Sequence, residues 1–196
     1  MKALILIGLQ VDFFPLGAAE IDGSEAILPG INEWLPTFEH VVAACFSHPA
    51  NHKMFVANYP WRRPGQEIDL MGEKILLKNY HCMEGSFGAE LTLGFNHHKI
   101  THTIFLGTQH RLLPYSAFFD ENRARDTGLL NYLIRNQIKE IYLAGLPFEE
   151  GVYQTALDGL EQDLRVNIIN RAVASKNEEQ SQKMQILLRK KGVKFV

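Results

Sequence analysis

The stretch Ala3-Leu-Ile-Leu-Ile7 is continuously apolar, which is typical of a β-strand buried on both faces of a sheet. Similar short runs follow at long intervals, at His40–Cys45, Thr103–Leu106, Glu140–Leu143, Val166–Ile169 and Val193–Val196. Apolar residues at helical spacing predict helices between them, over Ile27–Phe38, Thr127–Arg135, Gly151–Asp163 and Glu178–Lys190. Strands that alternate with helices predict an α/β fold: a doubly wound, mainly parallel sheet of about six strands with helices on both faces.

Composition narrows the class of protein. The 196 residues are 46% hydrophobic and 21% charged, and they show neither a linker nor an internal repeat, so one domain over residues 1–196 is expected. A net charge of −2 argues against a nucleic-acid partner. The run Ala3–Leu9 is too short to span a bilayer, and two cysteines, Cys45 and Cys82, suit a reducing compartment. We therefore predict a soluble cytoplasmic protein with no membrane partner.

The parallel sheet also predicts where a ligand would bind. In open α/β sheets, ligands bind at the carboxyl ends of the strands, which here means just after Ile7, Cys45, Leu106 and Leu143. The one long irregular segment, His48–Glu73, is rich in Pro, Gly, Asn and Lys. Irregular segments of that length within a compact domain are usually functional, so we predict that it is a functional loop or a lid.

Several motifs lie at these strand ends. They read Gly8-Leu-Gln-Val-Asp-Phe-Phe14, His48-Pro-Ala-Asn-His52, His81-Cys-Met-Glu-Gly-Ser-Phe-Gly-Ala-Glu-Leu91, Tyr115-Ser-Ala-Phe-Phe-Asp120 and Gly145-Leu-Pro-Phe-Glu-Glu-Gly-Val152. Together and in this order they resemble the nicotinamidase/pyrazinamidase branch of the isochorismatase-like cysteine hydrolases, from Ala3 to about Asn170. The resemblance implies that family's Rossmann-like fold and the hydrolysis of nicotinamide to nicotinate and ammonia. It also implies a Cys nucleophile, an Asp base, a Lys, a backbone oxyanion hole, and a metal held by Asp and His.

The catalytic positions implied by the resemblance carry other residues. Gly8 stands at the position of the Asp base, Leu106 at that of the Lys, and Gly151 at that of the Cys nucleophile. Glycine has no side chain, and leucine can neither carry charge nor transfer a proton, so the thiolate chemistry has no participants. Pro147 stands at an oxyanion-hole position and has no N–H to donate. We therefore predict a pseudoenzyme with a binding, regulatory or structural role.

The metal ligands implied by the resemblance are also reduced. Phe46 occupies the Asp position, whereas His48 and His81 match the histidines. Stable zinc sites usually have at least three protein ligands, so no cofactor is expected, and weak zinc or iron binding at the two histidines stays open. His52 is a further histidine four residues after His48, but Pro49 disfavours the helical turn that would bring the two together.

A pocket is expected to remain. The resemblance and the local sequence place Phe13, Lys78, Tyr115, Pro147 and Glu149 around it. Lys78 replaces the family's aromatic residue, which would suit an anion.

Two alternatives to a pseudoenzyme stay open. One is a hydrolase of a small amide, ester or nicotinamide-related compound that uses Glu149, Glu150 and His81; for the glutamates, the rival interpretation is an acidic pair favoured at a helix N-terminus. The other is a small-molecule binding module. The expected partner is a small molecule, and a homo-oligomer is left open. Asp12, which also matches the family, is assigned a structural role.

Overall fold

The computed structural model describes residues 1–196. Its eight strands are β1 (Lys2–Ile7), β2 (His40–Phe46), β3 (Glu67–Leu70), β4 (Glu73–Leu76), β5 (His102–Leu106), β6 (Glu140–Gly145), β7 (Arg165–Val173) and β8 (Lys194–Phe195). Its four α-helices are α1 (Leu28–Trp34), α2 (Leu129–Arg135), α3 (Tyr153–Glu161) and α4 (Glu178–Lys190). No helix combines the length and the apolar content that a bilayer crossing requires.

Six of the strands form one parallel sheet in the order β5-β2-β1-β6-β7-β8. The α/β fold predicted from the apolar runs is confirmed, and all six predicted strands are present. β1 lies in the middle of the sheet, and residues 3–7 are at most 1% exposed, which explains why this strand is continuously apolar. α1 and α3 both pack against β7.

Three of the four α-helices differ from their predicted bounds at one end or both. α4 begins and ends as predicted, whereas α1 is shorter than Ile27–Phe38 because it is flanked by 3₁₀ turns at Ser24–Ile27 and Leu35–Thr37. α3 begins at Tyr153 because a π-helical turn, Phe148–Val152, precedes it. π-helical turns inside or beside α-helices are frequent at functional sites.

A β-hairpin begins in the segment His48–Glu73, for which the sequence predicted irregular structure. β3 pairs antiparallel with β4 through a two-residue turn, in which Met71 (φ 57°) and Gly72 (φ 86°) are both left-handed, as such hairpin turns require. Of the eight strand residues only Ile75 is buried, so the hydrophobic alternation that marks a strand was too weak to recognise.

The hairpin is attached to the rest of the molecule by a buried cation. The ammonium group of Lys53 lies 2.6 Å from a carboxylate oxygen of Glu73 and 2.5 Å from one of Glu121. A small apolar cluster separate from the main core lies beside it, formed by Met54, Phe55, Ile75 and Leu77. The segment is therefore ordered against the body of the protein.

The register of the sheet places the motif positions at one edge. Ile7 at the end of β1 is level with Ala44 and Gly145, and Phe46 at the end of β2 is level with Leu106. The carboxyl ends of the four strands therefore lie side by side, where the sequence analysis expected the ligand site.

Gln10 ties these strand ends together. Its side chain is fully buried; Nε2 donates to the backbone oxygens of Phe46 (2.7 Å) and Ala89 (2.8 Å), and Oε1 accepts the N–H of Phe46 (2.6 Å). One amide therefore satisfies three backbone groups that come from two segments distant in sequence, and it holds the end of β2 against the loop after β1.

We expect Gln10→Leu to lower the free energy of unfolding by about 3 kcal/mol or more, because each buried polar group left without a partner costs about 1–3 kcal/mol. Urea denaturation followed by circular dichroism measures the change. The matched control is Gln182→Leu on the exposed face of α4, which should stay within about 0.5 kcal/mol of the parent protein. Equal stabilities for the two variants would show that the amide does not hold the strand ends.

Candidate functional site

A cleft of about 510 Å³ lies at the carboxyl ends of the strands. Its volume is in the range of small-molecule sites. Seven of the residues singled out in the sequence border it: Phe13, Phe46, His48, Lys78, His81, Pro147 and Glu150. The segment between β2 and β3 contributes Pro64 and Gly65 to another wall, and β4 contributes Leu76. The segment His48–Glu73 therefore borders the cleft, although it contains a strand.

The ring of Phe46 lies beside both glycines of the expected catalytic set. A Cβ atom added at Gly8 would lie 3.3 Å from the Phe46 ring, and one added at Gly151 would lie 3.9 Å from it. The ring also packs edge-on against Phe13, with centroids 5.5 Å apart. An aromatic ring therefore packs against both positions.

The atoms around the two glycines also oppose larger side chains. Gly8 has φ +65°, and its added Cβ would lie 2.3 Å from the carbonyl oxygen of Leu146. At Gly151 the added Cβ would lie 2.9 Å from the side chain of Ile7. The conformation of Gly8 is one that L-residues rarely adopt, so its replacement strains the end of β1.

The two other catalytic positions are apolar or lack a donor. Leu106 is the last residue of β5 and is 1% exposed, so its side chain belongs to the core and does not border the cleft. Pro147 borders the cleft and follows a cis peptide bond from Leu146. It has no N–H that could bind a developing oxyanion.

His48 presents a free lone pair at the cleft. It is fully buried; Nδ1 lies 3.0 Å from the carbonyl oxygen of Gly107, so Nδ1 carries the hydrogen, and Nε2 has no partner. Burial lowers the pKa of His48 to about 3, which keeps the imidazole neutral near pH 7. Nε2 is therefore a hydrogen-bond acceptor that has no donor within the chain.

His81 repeats this arrangement. Its Nδ1 lies 2.9 Å from the carbonyl oxygen of Asn79, and burial lowers its pKa to about 4. The rings of His81 and His48 have centroids 5.3 Å apart. His52 also lies close, 5.1 Å from His48 between centroids, but both of its nitrogens are engaged. Its Nε2 lies 2.9 Å from the carbonyl oxygen of Leu112, and its Nδ1 accepts a backbone N–H at 3.2 Å.

These residues do not fit a tightly held metal ion. His48 and His81 each offer one nitrogen, whereas Phe46 offers none and His52 has no free nitrogen. No group of three or more His, Cys, Asp or Glu side chains is arranged to hold a cation. The ammonium group of Lys78 borders the same cleft and opposes a second positive charge. Two imidazoles alone fall short of a stable zinc set.

The adjacent residues Glu149 and Glu150 point to different surroundings. Glu149 is buried and does not border the cleft, and its carboxylate accepts the backbone N–H groups of Lys176 (3.1 Å) and Asn177 (2.7 Å). It therefore fixes the loop between β7 and α4 rather than the pocket, contrary to the pocket position expected from the sequence. Glu150 borders the cleft instead.

Glu150 joins two lysines at the cleft. Its carboxylate lies 3.3 Å from the ammonium group of Lys78 and 2.8 Å from that of Lys176. Burial by itself would raise the pKa of Glu150, but the two ammonium groups lower it to about 2. One side of the cleft therefore carries a cluster of two cations and one anion.

Two other motif residues lie away from the cleft wall. Tyr115 is 41% exposed and does not border the cleft, although its neighbour Pro114 does. Asp12 accepts the backbone N–H groups of Cys82 (2.6 Å) and Ala18 (3.2 Å), so it connects two loops, in keeping with the structural role expected for it.

Two charged residues that were not predicted from the sequence, Lys176 and Glu20, also border the cleft. Lys176 lies three residues beyond the end of β7, so the rule that ligands bind at the carboxyl ends of strands could have found it. The apolar run used to recognise that strand ended at Ile169, four residues before β7 itself ends, which hid the position.

Comparison with known proteins agrees with the geometry. The family model described as the isochorismatase domain matches residues 2–196. The nicotinamidase of Escherichia coli is 32% identical over 175 residues, which covers 86% of this chain and 80% of that protein.

Solved structures show the same architecture. A nicotinamidase/pyrazinamidase of Acinetobacter baumanii has a TM-score of 0.92 at 28% identity, and the match covers 100% of this chain and 95% of the other. A pyrazinamidase of Pyrococcus horikoshii in complex with zinc has a TM-score of 0.82 at 26% identity, covering 100% and 98%. The family resemblance carried by the motifs is therefore confirmed: this chain belongs to the isochorismatase family, and its relatives include nicotinamidases.

Proposed function

We propose that this chain is a non-hydrolysing member of its family whose cleft binds a small molecule. The observation that carries the proposal is the close packing at Gly8 and Gly151, where an added Cβ would lie 2.3 Å from the carbonyl oxygen of Leu146 and 2.9 Å from the side chain of Ile7 respectively. With Leu106 buried in the core, none of the three positions offers a group that attacks, accepts a proton or carries charge.

The absence of a suitable nucleophile supports the proposal. No Cys, Ser or Thr borders the cleft. Both cysteines are buried, and burial raises the pKa of Cys45 to about 12 and also raises that of Cys82. Neither thiol therefore supplies the thiolate that amide attack requires.

The basic groups in the cleft are poorly matched to proton transfer. General bases work best with a pKa near the working pH. The pKa values of His48 (about 3), His81 (about 4) and Glu150 (about 2) lie well below neutrality. This weakens the alternative of a hydrolase that activates water with Glu149, Glu150 and His81, and Glu149 is also outside the cleft.

The cleft itself supports binding. It has a volume of about 510 Å³, and Phe13 offers an aromatic surface to it. Three polar side chains, Lys78, His48 and His81, border the same cavity. A pocket with both apolar and convergent polar groups is typical of a ligand site.

We expect purified protein to release no ammonia from nicotinamide or pyrazinamide above the uncatalysed rate. In well-studied hydrolases, loss of the nucleophile alone lowers kcat by about 10⁶-fold. A coupled ammonia assay measures the rate, with a mock purification from the same host as control. Turnover that stays with the protein through a second column and disappears in His81→Ala would contradict the proposal and favour the hydrolase alternative.

Restoring the three side chains should not restore hydrolysis. We expect Gly8→Asp/Leu106→Lys/Gly151→Cys to remain inactive and to unfold more easily by about 2 kcal/mol or more, since Asp at position 8 is strained and Lys at position 106 is buried. Ammonia release and urea denaturation test both statements.

The surroundings of the triad explain this expectation. Pro147 still lacks the oxyanion donor, a loss worth about 3–4 kcal/mol of transition-state stabilisation. The matched comparison adds Phe46→Asp, Pro147→Ala and Lys78→Trp to the triple variant, and any activity should appear only there. A triple variant as active as a nicotinamidase would show that the three side chains alone decide activity.

Metal binding should be weak. We expect no stoichiometric zinc or iron after dialysis, and a Kd for added zinc above about 1 μM, because structural zinc sites reach about 10–16 kcal/mol only with a full ligand set. Elemental analysis and calorimetry measure this. His48→Ala should weaken the residual binding, whereas the exposed His98→Ala should not. A stoichiometric metal that is lost in His48→Ala would refute the expectation.

A further inference from the structure

The cleft contains a charge cluster that none of the assigned roles uses. The carboxylate of Glu150 lies between the ammonium groups of Lys78 and Lys176 at 3.3 Å and 2.8 Å. The three residues come from three separate segments. Lys78 follows β4, Glu150 lies in the π-helical turn before α3, and Lys176 lies in the loop between β7 and α4. The fold therefore brings two cations together at one wall of the cavity.

The lysines are positioned by their own backbones. The backbone N–H of Lys78 donates to the carbonyl oxygen of Met54 at 2.8 Å, and the carbonyl oxygen of Lys78 accepts the N–H of Val56 at 2.9 Å. The N–H of Lys176 donates to the buried carboxylate of Glu149 at 3.1 Å. Since neither lysine depends on Glu150 for its place in the chain, the pair of cations remains when the carboxylate of Glu150 turns away.

Lys78 has unused hydrogen-bonding capacity toward the cavity. An ammonium group has three N–H donors, and that of Lys78 makes a single contact, the 3.3 Å one with Glu150. Its side chain is 32% exposed and that of Glu150 is 48% exposed, so the carboxylate can exchange this contact for water.

We propose that the cleft binds a small organic carboxylate through Lys78, and that Glu150 occupies the place of the ligand's carboxylate in the free protein. The charges require this exchange. Lys78 and Lys176 are balanced by Glu150 and by Glu20, which also borders the cleft and accepts the N–H of Leu16 at 2.9 Å. These four side chains are neutral in sum. A bound ligand anion therefore leaves the cleft with an excess negative charge unless the carboxylate of Glu150 moves away from the lysines.

Nicotinate and nicotinamide form the probe pair, because they have the same shape and differ in the charge of one substituent. The inference rests on the proposed small-molecule binding, and the measurement is isothermal calorimetry on the full chain at pH 7. We expect nicotinate to bind about tenfold more tightly than nicotinamide, the size of a charge-assisted hydrogen bond at a partly exposed site, and to weaken as NaCl is added.

Three variants separate the roles. Lys78→Met should abolish the preference for nicotinate. Glu150→Gln should strengthen nicotinate binding by about three- to tenfold through loss of the internal competitor, and leave nicotinamide within about twofold. The control Lys183→Met removes an exposed lysine of α4, paired only with Glu179, and should change neither affinity. A gain of affinity in Glu150→Gln cannot arise from a folding defect.

Other results overturn the inference. These are equal binding of both probes, no binding of either, a preference that survives Lys78→Met, or weaker nicotinate binding in Glu150→Gln. The proposed function fails by a different result, ammonia release from nicotinamide, which the same samples report. Equal binding without ammonia release would refute the carboxylate site and leave the non-hydrolysing proposal intact.

Discussion

The arrangement of the cleft depends on the Phe46 ring, which lies at the end of β2 beside Gly8 and Gly151. Gln10 holds the backbone of Phe46 through two hydrogen bonds and so fixes the point at the end of β2 from which the ring projects. The same side chain stands where the family has a carboxylate metal ligand. One residue therefore fills the space near the nucleophile and base positions and leaves His48 without an anionic companion. The replacements at these positions are physically coupled.

A second change concerns charge. In place of the family's aromatic residue at position 78, the cleft has Lys78, joined through Glu150 to Lys176. The adjacent Glu149 has a different role because it faces the loop before α4, whose backbone N–H groups it accepts. The loop that carries one lysine is thus held by one glutamate while the other glutamate neutralises its side chain. The proposed preference of the cleft for a carboxylate ligand rests on this arrangement.

The central sheet could be predicted because its strands are buried on both faces, and strands buried in this way are continuously apolar in sequence. The hairpin of β3 and β4 could not, since its stability comes from Ile75 and from the buried ammonium group of Lys53, contacts with distant parts of the molecule. The position of the cleft followed from the rule that ligands bind at the carboxyl ends of parallel strands. Lys176 was not predicted, because the apolar run that marks β7 ends four residues before the strand does.

By itself the sequence determined the α/β class, the edge of the sheet that carries the cleft, and the family to which the motifs belong, because these are properties of local pattern and motif. Only the tertiary structure decided which side chains meet there. It separated Glu149 from Glu150, removed Tyr115 from the cleft wall, and engaged both nitrogens of His52. The physical reason is that contacts in the cleft join segments that are distant in the chain, and whether two such groups touch depends on the packing between them.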